Sequence, residues 1–215
     1  MLERKTFSNR EDWLAGRMNG IGASEAAAVV GMSPFETTYE LWERKTGRRR
    51  DKDLSGSAVV EYGNRVEPVM RSMFQAEHPE FTVEYHQFDV LYQSERPWMT
   101  ATLDGELIDE DGRRGVLEIK TAQVGKKVQY DKWRDAVPIN YLAQTLHQML
   151  VTGWDYVYLY AKLVKLNGDS ELRTYLIRAE EHQEDMKWLL EQERAFWENN
   201  VLKDVAPPAI LPTLK

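Results

Sequence analysis

The sequence predicts an α/β fold, a mixed β-sheet flanked by helices. Three observations predict it. The first third carries helix-capping signals, the stretch from about Thr82 to Thr121 reads as strands, and the last part sets a β-hairpin between two amphipathic helices. At 215 residues the chain is expected to form one domain over 1–215, large enough to bury a core unaided. Residues 204–215 are expected to be a proline-rich C-terminal tail.

Taken in order, Ser24 can cap a short helix through Val30. Thr37 with Glu40 forms a capping box for a helix that ends at Gly47. Asp51 to Ser57 is a polar loop. A longer helix follows from about Ala58 to Ala76, with Val59, Val66, Met70 and Met73 as its apolar stripe. Alternation then marks strands at about Thr82–Tyr92, Trp98–Ile108 and Gly115–Thr121. Gly125 to Val137 is a polar connection or short helix. Asn140–Thr152 is a helix with Leu142, Leu146, Met149 and Leu150 toward the core, ended by Gly153. Tyr156–Val164 and Leu172–Arg178 form a hairpin around the turn signal Asn167-Gly168. Glu181 to about Leu202 is a long helix with Met186, Leu189, Leu190, Phe196 and Trp197 on one side.

Composition narrows the chemistry. There are no cysteines, which removes disulfides, thiolate zinc sites, cysteine nucleophiles and iron–sulfur clusters. No apolar run has membrane-span length and no signal-peptide pattern opens the chain, so a cytoplasmic location and no membrane partner are expected. A net charge of −7 argues against generic coating of DNA, so any nucleic-acid contact has to rely on a local cationic patch. Arg44-Lys45, Arg48-Arg49-Arg50 and Lys52 are one candidate; the plainer reading is a solvated helix end, where cations are favourable.

Asp104 is followed thirteen residues later by Glu118-Ile119-Lys120. Side chains repeat every two residues on a strand, so Thr100, Thr102 and Asp104 share one face and Val116, Glu118 and Lys120 another. If the faces coincide, two carboxylates and an ammonium converge. Carboxylate oxygens are hard ligands suited to Mg²⁺, and a nearby Lys can position or deprotonate a water or stabilise an anionic transition state. The set suits metal-dependent cleavage of a phosphodiester. Read alone it is a common strand pattern, an exposed cross-strand ion pair. Val116 and Thr102 on the same face, and Gly105 within a strand, speak against that reading.

Three further groups bear on it. Gly63 and Pro68 break helix propensity at about 1 and 3 kcal/mol on either side of Glu67, which suggests a site, unless the helix simply starts at Pro68. Gly63 could clear space beside the Glu67 carboxylate. Arg17-Met-Asn-Gly20-Ile-Gly22-Ala-Ser24 is a glycine-rich approach to a helix N-terminus, where Arg17 and Ser24 could hold a phosphate, or Ser24 could be an ordinary cap. Gln144, His147, Gln148 and Val151 share one helix face; a solvated face is the default, although Gln144 could orient a water. His147 lacks a partner at helical spacing and is not expected to ligate a metal.

In this order the pieces resemble the YqaJ-type viral recombinases, the family of phage lambda exonuclease within the wider PD-(D/E)XK nucleases. The resemblance runs from Arg17-x6-Ser24 through Gly63-x3-Glu67, Thr102-Leu103-Asp104-Gly105 and Leu117-Glu118-Ile119-Lys120 to Tyr141-x2-Gln144 with Val151-Thr152. It covers roughly residues 10–165; Leu103 stands where the pattern has Pro, and the chain beyond about Leu163 matches weakly. The resemblance implies a restriction-endonuclease-like core. It implies that Asp104, Glu118 and the carbonyl of Ile119 hold one Mg²⁺, that Asp104 bridges to a second with Glu67 nearby, and that Mn²⁺ can substitute. Lys120 would orient or activate the attacking water, Gln144 would edge the site, and Arg17 and Ser24 would bind the 5′ phosphate. The implied activity is 5′-to-3′ digestion of one strand of linear double-stranded DNA to mononucleotides, leaving 3′ overhangs. The implied partners are DNA ends, two further copies in a trimeric ring, and a single-strand annealing protein. A restriction-like endonuclease and a catalytically silent DNA-binding module are the alternatives.

Overall fold

The computed structural model describes residues 1–50 and 56–209. Most of the expected Asp51–Ser57 loop, Lys52 included, and the tail from Ile210 lie outside the described residues. The described part of that tail, 204–209, is irregular, with Pro207 buried.

The strands form two mixed sheets. In the first, β1 (Leu2–Thr6) pairs antiparallel with β4 (Asp89–Gln93), β4 antiparallel with β5 (Arg96–Ala101), and β2 (Ile21–Gly22) runs parallel to β5. In the second, β3 (Thr82–Glu84) pairs with β6 (Gly105–Ile108), β6 with β7 (Arg114–Gln123), β7 in parallel with β8 (Tyr156–Val164), and β8 with β9 (Ser170–Arg178). The two expected strands at Thr82–Tyr92 and Trp98–Ile108 are therefore each divided between sheets. Apolar alternation runs on through the second crossing, at Met99, Ala101, Leu103 and Leu107, so the pattern there does not show that the partner strand has changed; at the first it shifts phase, from Val83 and Tyr85 to Phe88 and Val90. One crossing turns at Phe88, whose φ of 63° is rare for a non-glycine residue. The other is the irregular stretch Thr102–Asp104. Gly105 follows it because a Cβ there would lie 3.1 Å from Val83 Cγ1 and 3.2 Å from Leu117 Cβ.

β7 is buried on both faces, as a central strand next to a parallel neighbour should be. Leu117 and Ile119 pack with Met70 and Phe74 of α4 (Ala58–Glu77). Val116 packs with Leu146 and Met149 of α6 (Ile139–Thr152). α4 runs straight through Pro68 rather than starting there. The broken helix bond costs about 3 kcal/mol, and full burial of Met70 and Phe74 returns roughly 1.5–3 kcal/mol each. The buried stripe of α4 is Val66, Met70 and Phe74; Val59 and Met73, expected in it, are 59% and 38% exposed.

α6 lies between the sheets, against β4 and β5 on one side and β7 and β8 on the other. Its expected solvated face is absent: His147, Gln148 and Val151 are fully buried. Gly153 ends it in the left-handed region at φ 71°, as expected. Shorter helices cover the first sheet: α1 (Arg10–Arg17), α2 (Ala26–Val29) and α3 (Thr38–Lys45). α3 has the expected capping box, Glu40 N donating to Thr37 Oγ1 at 3.1 Å and Thr37 N to Glu40 Oε2 at 2.9 Å. The polar connection after β7 contains α5 (Lys127–Asp131). The last helix, α7 (Gln183–Ala195), continues as a π-helical turn over Phe196–Val201. Leu189 and Phe196 are buried there, with Met186, Leu190 and Trp197 packed beside them.

Candidate active site

The crossing at Thr102–Asp104 delivers Asp104 to the end of β6, where Gly105 faces Leu117 and the next position on β7 is Glu118. β6 stops there while β7 continues, so the edge of β7 beyond Leu117 is open on that side. Ile119 N, which faces that edge, donates to Asp104 Oδ2 at 2.8 Å. The N–H and C=O of a strand residue face the same edge, so the Ile119 carbonyl points to the Asp104 side as well. Asp104 Oδ1 accepts no hydrogen bond among the described residues.

Glu118 lies on the face of β7 toward α6 and is 2% exposed. Gln144 Nε2 donates to its Oε1 at 2.7 Å and Gln148 Nε2 to its Oε2 at 2.5 Å. Lys120 Nζ is 2.6 Å from Oε1 and stands over the Tyr141 ring at 5.3 Å. Two glutamines one helical turn apart thus hold both oxygens of a buried carboxylate. Glu67 projects from α4 and pairs with Arg71 Nη2 at 2.6 Å.

Asp104, Glu67, Glu118, Lys120 and Gln144 line one cleft of about 430 Å³. Its electrostatics are those of crowded anions. Burial pushes the Asp104 carboxyl well above its ordinary range, and the Glu118 and Glu67 carboxylates push it further. Burial also raises Glu67; Glu118 adds to this against the pull of Arg71. Burial alone would lower the Lys120 ammonium, but Glu118 and Asp104 outweigh it and hold Lys120 above its usual value.

Arg17 and Ser24 line the same cleft. The Arg17 guanidinium lies over the Trp13 ring at 4.7 Å. Ser24 is exposed within a 3₁₀ turn and is not the expected cap. Glu25 does that work, its Oε2 accepting from Gly22 N at 2.8 Å. Gly63 also opens onto the cleft, and a Cβ there would meet nothing within 4 Å. His147 is not free to ligate: its Nδ1 is 2.9 Å from Glu193 and its Nε2 2.9 Å from the Thr100 carbonyl.

Four members of the candidate cationic patch are held in ion pairs. Arg44 pairs with Glu25 and Glu36, Lys45 with Glu25, Arg48 with Asp204, and Arg49 with Glu40 and Glu43. Among the described residues, the acidic group whose ligand atoms all lie within 4.8 Å of one another is Glu84, His86 and Glu106. Arg4 and Arg114 already occupy both Glu106 oxygens, at 2.5 and 2.8 Å. Glu67, Asp104 and Glu118 are spaced more widely, with Glu118 drawn toward α6. Sequence reasoning passed over Arg71 and gave Gln148 only a solvated face. Each lies four residues after a residue it singled out, Glu67 and Gln144, and that helical spacing was the available signal.

The fold is shared with exonucleases. An alkaline exonuclease (LHK-Exo) from Laribacter hongkongensis superposes with a TM-score of 0.65 at 16% identity, over 91% of this chain and 94% of that one. The same enzyme in complex with dAMP gives 0.61 at 18% identity, over 90% and 95%. The YqaJ-like viral recombinase domain matches residues 12–155, and the chain belongs to that family. The uncharacterized protein YqaJ of Bacillus subtilis (strain 168) is 26% identical over 208 residues, which are 96% of this chain. The chain spans 61% of the length of that curated relative. Among the described residues, no helix is long and apolar enough to cross a membrane.

Proposed function

We propose that the chain is a divalent-metal-dependent exonuclease. It digests one strand of linear double-stranded DNA from the 5′ end to mononucleotides and leaves a 3′ overhang for recombination. The observation that carries this reading is the meeting of Asp104, Glu118 and Lys120 at the open edge of β7, in a cleft that also contains Arg17 and Ser24.

Mg²⁺ fits the residues present. The donors are hard oxygens, and burial together with mutual repulsion raises the Asp104 and Glu67 carboxyls even with Arg71 and Lys120 beside them. Asp104, Glu118 and the Ile119 carbonyl would hold one ion, with Asp104 reaching a second beside Glu67; Mn²⁺ suits the same oxygens. A divalent cation held by these residues would supply charge neutralisation to the attacking and leaving oxygens of an in-line displacement. Lys120, 2.6 Å from Glu118, orients or activates the attacking water and can stabilise charge on the phosphoryl oxygens. Gln144 and Gln148 hold Glu118 in one orientation throughout. Arg17 pairs with the terminal 5′ phosphate, and Ser24 donates to it. Assembly as a ring of three, a single-strand annealing partner and a cytoplasmic setting complete the reading by family likeness.

One incubation tests it. Linear duplex with a 5′ phosphate should lose one strand with Mg²⁺ and remain whole with EDTA. Covalently closed circular duplex should stay intact; its cleavage would indicate a restriction-like endonuclease instead.

A further inference from the structure

We infer that Arg71, held flat by Tyr85, is the positioning residue that sets the cation affinity of this site; the inference rests on the nuclease reading above. Arg71 lies on α4 and is 13% exposed. Its Nε donates to the Asp104 carbonyl oxygen at 2.5 Å, and its Nη2 donates to Glu67 Oε1 at 2.6 Å. Its guanidinium carbon is 3.7 Å from the centroid of the Tyr85 ring. One side chain thus ties together α4, the β5–β6 crossing and the loop between β3 and β4.

Asp104 sits on irregular backbone, so the sheet does not fix where its carboxylate points. Two hydrogen bonds do: Ile119 N holds Oδ2, and Arg71 holds the main chain at the same residue. The other arm of Arg71 places Glu67 and lowers the repulsion that Glu67 suffers from Glu118. A guanidinium can serve two acceptors at a fixed angle; an ammonium on a flexible stem cannot reproduce that fork. Tyr85 supplies the flat face that keeps the fork in plane. Its hydroxyl also interacts with Arg71.

The test is calorimetric titration of the full chain with Mn²⁺ alone and with Mg²⁺ alone, without DNA, beside metal-free thermal melts. Arg71→Lys should weaken Mn²⁺ binding by roughly 10–100-fold, the range for partners that orient metal ligands. Tyr85→Leu should weaken it in the same direction, and Tyr85→Phe, which keeps the ring face, should weaken it less than Tyr85→Leu. Arg71→Lys or Tyr85→Leu binding Mn²⁺ as tightly as wild type overturns the assignment. So does a drop in melting temperature with an unchanged dissociation constant, the signature of a merely structural role. A wild-type chain that takes up neither ion sinks the nuclease reading itself, a separate outcome.

Discussion

Gln148, fully buried, donates to Glu118 Oε2 at 2.5 Å at the closed end of a carboxylate that is itself only 2% exposed. A hydrogen bond to a charged, buried acceptor is worth about 1.5–3 kcal/mol. Gln148→Leu should therefore cost about 2 kcal/mol in urea unfolding, even though Leu adds apolar surface to the interior. An unchanged midpoint would show that Glu118 finds another donor.

Asp104→Asn should make the metal-free protein more stable at neutral pH while abolishing digestion. The Asp104 carboxyl is raised in the folded state, so the fold is favoured while it is protonated. That stability is lost as pH rises from the unfolded value, about 3.9, through the folded one. Asn keeps an oxygen for Ile119 N and carries no charge. Melts in EDTA from pH 4 to 8 should show the wild type falling below the variant as pH rises. Saturating Mg²⁺, at about 100 times its dissociation constant, should return about 2.7 kcal/mol to the wild type and little to the variant.

Arg17→Ala should remove discrimination between 5′-phosphorylated and 5′-hydroxyl duplex ends, read as the ratio of digestion rates on the two substrates. A ratio that stays at the wild-type value would exclude Arg17 as the phosphate clamp.

The ring nitrogens of His147 lie 2.9 Å from Glu193 and from the Thr100 carbonyl, contacts that a doubly protonated ring satisfies by donating to both. Burial alone would lower its pKa; Glu193 and the Thr100 carbonyl outweigh it and raise it above 6.5. The sign follows: the contribution is complete below the unfolded value of about 6.5 and is lost as pH rises through the higher folded value. The stability difference between wild type and His147→Gln should shrink from pH 6 upward in urea titrations. A difference independent of pH would mean that the ring is neutral.

What could be read from the residues was what is encoded locally. The Thr37–Glu40 box, the Asn167-Gly168 turn and the Gly153 terminus each act within a few residues, and each stands where expected. Glu118 and Lys120 were legible as a pair because two-residue spacing holds along β7; Asp104 joins them from irregular backbone between β5 and β6, not from the strand face expected for Thr100, Thr102 and Asp104. Which sheet a strand joins is decided by distant packing, so the division at Thr102–Asp104 left no mark, and that at Phe88 only a shift of phase between Tyr85 and Phe88. Strand β1 pairs with β4 across more than eighty residues and was equally hidden. Ser24 looked like a cap because hydroxyls often are; Glu25 does the work through its side chain, and Lys45 and Arg44 stabilise it there. His147 and Gln148 looked solvated because a helix lying between two layers has no outer side.

The passage of the main chain from one sheet to the other at Thr102–Asp104 has a mechanical consequence. A residue at such a seam senses both layers. Anchoring the Asp104 carboxylate to an ion fixed on β7 would stitch the layers together, and slippage between them would misplace the acid before any other part of the cleft. Amide exchange along β5 and β6, rather than at the distant β8–β9 hairpin, is where loading of the centre would slow local opening.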